Sequence, residues 1–204
     1  MPQLVLTELV DDNSLRSNAA TSNYGTNATT FSGYYASGVW RAVMRFGLDD
    51  LPSAAVVTSA LLSVTQYGRA ESTKAGTAQL HRIKDANAWT DAGSCWSYTK
   101  NTTPWAGAAG CATPDVDYVA DASPPTLTFD ALASGEAVLN VAIPIAWINA
   151  WRVTNQGFRI ANTDEADSGK CLFLRSRAAF LNANVLTIDY VLPASMPWLA
   201  ARRL

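Results

Sequence analysis

The sequence predicts an all-β protein, a β-sandwich with one short helix. Apolar and polar residues alternate with a period of two in many short segments, turn-forming residues separate those segments, and a single segment has a helical period. Many short strands joined by turns favour a sandwich over an alternating α/β fold. Because no linker and no internal repeat divides the chain, residues 1–193 are predicted to form one domain.

The predicted strands follow one another along the whole domain. The clearest covers residues 40–48, where an apolar face alternates with a mixed face that carries Arg41 and Arg45. The other predicted strands are 3–10, 60–65, 79–84, 126–129, 137–143, 157–161, 170–176 and 185–191. Turn-forming sequences such as SNYGTN, DLPS, KAGT, SPPT, TNQG and DSGK separate them.

Residues 144–151 are predicted to form the helix. Trp147, Ile148 and Trp151 share one helical face, a proline is compatible with the first turn, and the TNQG sequence that follows is a stop signal. We therefore expect Trp147 and Trp151 to be buried in the core.

The last eleven residues, 194–204, form a tail after the final strand. It carries Trp198, Leu199 and Leu204 beside two arginines. Two interpretations remain open: a docking arm that makes assembly contacts through these apolar residues, or a frayed end.

Composition and charge exclude several classes of function. Of 204 residues, 16% are charged, and the net charge of −2 argues against a nucleic-acid surface, which needs a basic excess. No apolar run is long enough to span a membrane. The first residues, MPQLVLTELVDDNS, lack the basic and apolar regions of a signal peptide, so either a signal has been removed or export does not use that route.

The segment from Trp89 to Cys111 combines three tryptophans with small and turn-forming residues. Such rings either cover the end of a sheet or form a binding platform. Cys95 and Cys111 could close a disulfide loop, which would stabilise the fold by about 3 kcal/mol. The alternative is that these two and Cys171 are free thiols, with Cys171 a small buried hydrophobe in KCLFL.

The sequence does not predict an enzyme. His81 is the only histidine, no nucleophile motif such as GxSxG is present, and most carboxylates fall in turn-like segments. No cofactor is predicted, and the Cys and His spacing offers no zinc site. Asp11-Asp12-Asn13 and Asp164-Glu165-Ala166-Asp167 are oxygen-rich and keep structural calcium open as an alternative, although neither has EF-hand spacing.

Carbohydrate binding needs aromatic rings that stack on sugar faces and polar groups that bind hydroxyls, with Arg or Lys for acidic sugars. The candidate rings are Trp105, Trp96 and Tyr98, followed by Tyr34, Tyr35 and Trp89. The candidate charged groups are Arg45, Arg175 and Arg177, followed by Arg41 and His81. For Trp105, packing and sugar binding are equally open.

The order of the segments resembles a known family. The chain contains, in sequence, SNYGTN, WRAVMRFGLDDLP, SALLSV, LHRIKDANAW, CWSYTKNTTPWAGAAGC, IPIAWINAW with TNQGFRI, CLFLRS and VLTIDYVLP. Over about residues 10–193 this set resembles the DNRLRE-type β-sandwich modules, which include carbohydrate-binding module family 96. The resemblance implies a jelly-roll-like β-sandwich of two antiparallel sheets.

Modules of this family occur on secreted or surface proteins, where some bind acidic polysaccharides, and in bacteriophage structural proteins. This chain departs from the common pattern because it begins at Met1 without a signal, and because the family does not require Cys95 or Cys111. The leading hypothesis is a non-catalytic structural or adhesion subunit of an extracellular particle, with a phage virion favoured. It would be a decoration, fibre or tail-associated protein.

This hypothesis also predicts partners and location. The chain would be oligomeric in the assembly, contact other virion or particle proteins and surface polysaccharide, and lie in the virion or on an extracellular surface. The alternative is a carbohydrate-binding module of a secreted polysaccharide-degrading enzyme or adhesin. Fold resemblance alone does not decide between them.

Overall fold

The computed structural model describes residues 2–178 and 183–193. Within these ranges the chain forms thirteen strands and one α-helix. The elements are β1 (Gln3–Leu6), β2 (Leu9–Arg16), β3 (Thr29–Tyr35), β4 (Gly38–Phe46), β5 (Val56–Tyr67), β6 (Gly76–Arg82), β7 (Tyr98–Lys100), β8 (Thr103–Pro104), β9 (Thr126–Phe129), β10 (Glu136–Ala142), α1 (Ile145–Trp151), β11 (Phe158–Asn162), β12 (Leu172–Arg175) and β13 (Asn184–Val191).

The strands build two antiparallel layers. In the first layer, the long strand β5 pairs with β10 on one edge and with β13 on the other, and β1 pairs with β13. β12 continues along the same edge of β5 as β13. The second layer has the order β9-β6-β11-β4-β2.

Strand β3 joins the two layers. Residues 29–32 pair with β12 of the first layer, and residues 33–35 pair with β4 of the second. Eleven strands are therefore connected by hydrogen bonds into one continuous sheet, rather than two separate sheets. Strands β7 and β8 form a small additional hairpin.

The core lies between the two layers. Leu62 and Val64 of β5 face inward and belong to the same buried cluster as Met44 of β4, Leu80 of β6 and Ile160 of β11. Alternate residues of each strand face this core, as a period of two requires. The predicted all-β sandwich with one short helix is confirmed.

Helix α1 packs against this core as predicted. Trp147, Ile148 and Trp151 are all buried, and the indole of Trp151 lies 6.0 Å from the ring of Phe158. Pro144 occupies the N-cap position, where its missing N–H removes no helical hydrogen bond. In the part of the chain that the structure describes, no helix is long and apolar enough to cross a lipid bilayer.

The strand predictions need correction at two places. The predicted strand 3–10 is in fact the whole of β1 and the start of β2, since β1 pairs with β13 and β2 pairs with β4. Strand β2 then continues through Asp12 and Asn13, whose side chains are fully buried. Strand β3 was not predicted at all.

Candidate functional site

The segment from Trp89 to Cys111 packs onto the outer face of the second layer. Trp89 and Trp105 are 1% and 3% exposed, and they form a buried cluster with Leu15 and Val43 of the sheet. Each buried indole N–H donates to a main-chain carbonyl oxygen, at 2.7 Å for Trp89 and 3.1 Å for Trp105. The segment is thus a cover for this face, and we call it the tryptophan cover.

Of the predicted sugar-binding rings in this segment, Trp105 is buried and Trp96 and Tyr98 are half-buried. Trp105 has no exposed face on which a sugar could stack, so that interpretation does not fit its burial. Trp96 is half-buried, packs against the same cluster, and has the guanidinium of Arg41 5.0 Å from its ring centre. Tyr98 is half-buried at the start of β7.

The proposed Cys95–Cys111 disulfide is not present. All three cysteines are buried free thiols. The Cys111 sulfur lies 3.9 Å from the carbonyl oxygen of Asp117, within the buried cluster, and burial raises the pKa of this thiol to about 12. Cys171 is a small buried hydrophobe packed with Phe173, as predicted. Cys111 and Cys171 therefore lie in two different packed clusters.

A buried carboxylate, Asp117, holds the tryptophan cover together instead. Its Oδ1 accepts a hydrogen bond from the main-chain N–H of Gly107 at 2.8 Å. Its Oδ2 accepts two more, from Ala108 at 3.1 Å and Thr113 at 2.8 Å. Because Asp117 is fully buried, these charge-assisted bonds replace all contact with water.

The predicted charged groups do not converge on one ligand site. Each of the three leading arginines pairs with carboxylates of this chain, and the partners of Arg45 and Arg177, Asp11 and Asp12, are neighbours on β2. The pairs are Arg45–Asp11, Arg175–Glu136, Arg177–Asp91 and Arg177–Asp12. Arg41 is also paired, because its Nε and Nη2 donate to both oxygens of Glu165 at 2.7 Å.

His81 is buried against Tyr118 rather than exposed at the surface. It pairs in register with Arg159, and its ring centre lies 4.7 Å from that of Tyr118. Desolvation by burial, aided by the charge of Arg159, lowers the pKa of His81 to about 4. The imidazole is therefore neutral at pH 7 and out of reach of an external substrate.

An open groove of about 450 Å³ lies at the end of the hairpin that connects β3 and β4. It collects partly exposed aromatic and charged side chains from three segments that are distant in the sequence. We call it the hairpin groove, and its lining residues are Tyr34, Tyr35, Ala36, Glu71, Thr73, Lys74, Asp167, Ser168 and Gly169.

One wall of the hairpin groove is a rigid aromatic surface. The ring of Tyr35 stacks on Phe31 at 5.9 Å and meets the edge of Phe173 at 5.3 Å. The Arg69 guanidinium lies 5.6 Å from the Tyr35 ring centre, and Arg69 pairs with Glu71 at 3.3 Å. The Tyr35 ring is therefore fixed from behind while it remains partly exposed.

The hairpin turn that carries this wall has an unusual backbone. Ala36 and Ser37 both have positive φ angles, 48° and 62°, which non-glycine residues rarely adopt. The turn is stabilised because the Ala36 carbonyl oxygen accepts hydrogen bonds from Arg16 at 3.1 Å and Asn18 at 2.9 Å. A backbone of this kind is frequent at functional sites. The hydrogen-bonded turn fixes the end of the strand that holds Tyr34.

The opposite wall is polar. The Lys74 ammonium lies 3.0 and 2.9 Å from the two carboxylate oxygens of Asp167, and this contact lowers the pKa of Asp167. The Gly169 carbonyl oxygen accepts hydrogen bonds from the main-chain N–H groups of Thr73 and Lys74 at 3.1 and 3.0 Å. The two loops of this wall are thus bound to each other.

The sequence indicated only part of this site. Tyr34 and Tyr35 were among the candidate rings, and Asp167 was considered only as a calcium ligand. Glu71 and Lys74 were not singled out, since no motif marks them. Trp198, Leu199 and Leu204, the predicted assembly contacts, lie outside the described residues.

The oxygen-rich segments do not form a metal site among the residues that the structure describes. Their carboxylates are engaged by cations of the protein itself. The Lys170 ammonium lies 2.9 Å from Asp164, Arg41 binds Glu165, and Lys74 binds Asp167. This arrangement gives the calcium alternative no support.

A scan against models of known protein families and a search of curated proteins both give no match. The resemblance to DNRLRE-type modules therefore remains an expectation drawn from motifs.

Proposed function

We propose that this chain is a non-catalytic adhesion subunit of an extracellular particle, and that it holds surface polysaccharide in the hairpin groove. The particle that we favour is a phage virion, since the modules that the motifs resemble also occur in bacteriophage structural proteins. The observation that carries the proposal is the groove itself, where partly exposed tyrosine rings face ionised and hydrogen-bonding groups on a rigid frame.

The chemistry of the groove suits a sugar chain. The half-exposed Tyr34, beside the packed ring of Tyr35, offers aromatic surface for the apolar C–H face of a pyranose ring, and stacking of this type is a main source of affinity. Glu71 and Asp167 offer acceptors for hydroxyl groups, and Lys74 offers a donor. The open shape of the groove is compatible with a polymer that extends beyond it.

The carboxylates of the groove are unsuited to glycoside hydrolysis, which supports a non-catalytic role. A hydrolase needs one carboxylic acid that keeps its proton near neutral pH. The hydrogen bond from Arg69 lowers the pKa of Glu71, and that from Lys74 lowers the pKa of Asp167. Both groups are therefore ionised at pH 7, and neither can donate a proton.

An exposed face of the first layer supports the second part of the proposal, assembly with other particle proteins. Val5, Leu61 and Val138 lie on three different strands and are 48%, 44% and 63% exposed. Val5 and Leu61 are both in register with Thr187, so they lie in one row across the sheet. This row, in which Thr187 lies between Val5 and Leu61, is the surface that we propose for contact with other particle proteins.

The proposal is tested by particle incorporation and by polysaccharide binding. Leu61→Lys places a charge on the exposed face and is expected to reduce incorporation into particles, whereas Lys100→Ala, on an exposed residue of β7, should not. Tyr34→Ala should reduce retention on polysaccharide-coated beads without changing incorporation. A chain that neither enters particles nor binds polysaccharide would contradict the proposal, and retention without incorporation would favour a carbohydrate-binding module of a secreted protein.

A further inference from the structure

We infer that the hairpin groove selects neutral polysaccharides over acidic ones. This inference rests on the proposed function, because it assumes that the groove is the sugar site. It differs from what the family resemblance implies, since some of those modules bind acidic polysaccharides.

Among the residues that the structure describes, the lining of the groove and the neighbouring Arg69 leave no surplus cation for an acidic sugar. The lining contains two carboxylates, Glu71 and Asp167, and one ammonium, Lys74. Lys74 contacts both oxygens of Asp167, and the nearby Arg69 pairs with Glu71. A sugar carboxylate would have to displace one of these protein carboxylates while lying close to the other, and like charges at such separations repel.

The arginines that could have formed a basic platform elsewhere are also occupied. The guanidinium of Arg41 binds both oxygens of Glu165 and donates to the carbonyl oxygen of Gly110 at 2.8 Å. Arg159 is buried, with its guanidinium 3.5 Å from the ring centre of Tyr118. Arg41 and Arg159 therefore fasten the end of the tryptophan cover, since they donate to the carbonyl oxygens of Gly110 and Cys111.

A neutral sugar meets none of this repulsion. Its hydroxyl groups can donate to the ionised oxygens of Glu71 and Asp167, and hydrogen bonds to charged acceptors are the stronger kind. Its apolar face can lie on the tyrosine wall, where Tyr35 is already fixed by its packing on Phe31 and Phe173. Little side-chain entropy is then lost on binding.

The experiment is calorimetric titration of the full chain with hexasaccharides of matched length. The neutral probes are cellohexaose, laminarihexaose and mannohexaose, and the acidic probes are hexamers of alginate and of polygalacturonate. We expect at least one neutral probe to bind at least about tenfold more tightly than either acidic probe. Its affinity should change less than about twofold between low and high salt, because no net charge is neutralised on binding.

Two variants assign the binding to the groove. Tyr34→Ala removes a half-exposed ring and should weaken neutral binding by about tenfold, whereas Tyr98→Ala, on the tryptophan cover, should leave it unchanged. Asp167→Asn keeps the shape of the side chain but removes its charge. This variant should bind the neutral probe about threefold more weakly and should bind the acidic probes more tightly.

The outcomes separate this inference from the proposed function. Acidic binding that equals or exceeds neutral binding and is lost in Tyr34→Ala would overturn the selectivity and leave the adhesion site in place. Neutral binding that Tyr34→Ala does not weaken would overturn both the groove assignment and the inference. The absence of binding to all probes would contradict the proposed function itself.

Discussion

Replacing Asp117 with alanine should unfold the tryptophan cover and destabilise the whole protein. The carboxylate accepts three main-chain hydrogen bonds, from Gly107, Ala108 and Thr113, and is itself fully buried. A hydrogen bond to a charged group contributes about 1.5–3 kcal/mol, so the three set an upper limit of about 9 kcal/mol. Local opening in the variant would let water bind the three donors, which offsets part of this cost. We therefore expect the free energy of unfolding to fall by about 4 kcal/mol.

A loss of this size is large against the total stability of a typical domain, about 5–15 kcal/mol. For a chain of this length it corresponds to a fall in Tm of about 8–16 °C. Urea unfolding followed by tryptophan fluorescence measures it, and hydrogen exchange should show faster exchange at residues 106–113. The control is Asp115→Asn, which changes an exposed carboxylate two residues before Asp117. It should change stability by less than about 0.5 kcal/mol. If Asp117→Ala costs less than about 1 kcal/mol, the carboxylate is not the organiser of this segment.

Three further predictions concern buried side chains. Trp105→Ala should lower the free energy of unfolding in urea by about 4 kcal/mol and leave polysaccharide binding intact. A mild loss of stability together with lost binding would show that the ring is a ligand contact. Burial raises the pKa of Asp12 from 3.8 to about 6. Between these two pH values the folded state binds more protons at Asp12 than the unfolded state does, so this group makes stability fall as pH rises. Burial lowers the pKa of His81 from 6.5 to about 4, so this group makes stability rise with pH over that range. Between pH 4 and 6, the slope of stability against pH should therefore be more positive than in the unmodified chain for Asp12→Asn and more negative for His81→Gln, and identical slopes in both variants would contradict these assignments. Thiol labelling should leave Cys95 and Cys111 unmodified in the native protein and should modify both after unfolding. Addition of a reductant should change neither the Tm nor the intact mass.

The sequence pattern located strands best where one face is apolar. The predicted strand 126–129 coincides with β9, and 185–191 differs from β13 by one residue. In such strands the inward residues contact the core and the outward ones contact solvent, so a period of two is visible in the sequence. The helix from Ile145 to Trp151 was located for the same reason, with a different period.

The pattern failed where polar side chains are buried. Asp12 and Asn13 in β2 are fully buried, because Arg177 donates its main-chain N–H to Asp12 and Asn13 donates to the hydroxyl and carbonyl oxygens of Ser94. These partners lie about 80 and 165 residues away along the chain. An alternation rule treats polar residues as exposed and cannot include partners that only the fold supplies. Strand β3, rich in Thr, Ser and Gly, was missed for a related reason.

The hairpin groove could be predicted only in part. Tyr34 and Tyr35 are adjacent in the sequence, and aromatic residues beside a turn are a usable signal for a binding surface. Glu71 and Lys74 come from the loop after β5, and Asp167 comes from the loop before β12. Only the pairing of β12 with both β3 and β5 brings these three segments together, and no local motif encodes that arrangement.

The most direct test of the central claim is an NMR titration of the isotope-labelled full chain with the tightest of the five hexasaccharide probes. If the hairpin groove is the sugar site, the perturbed amides will cluster at residues 34–37, 71–74 and 167–169, and the amides of residues 95–111 will not shift. Perturbations centred on residues 95–111, or no perturbation at saturating sugar, would contradict the account.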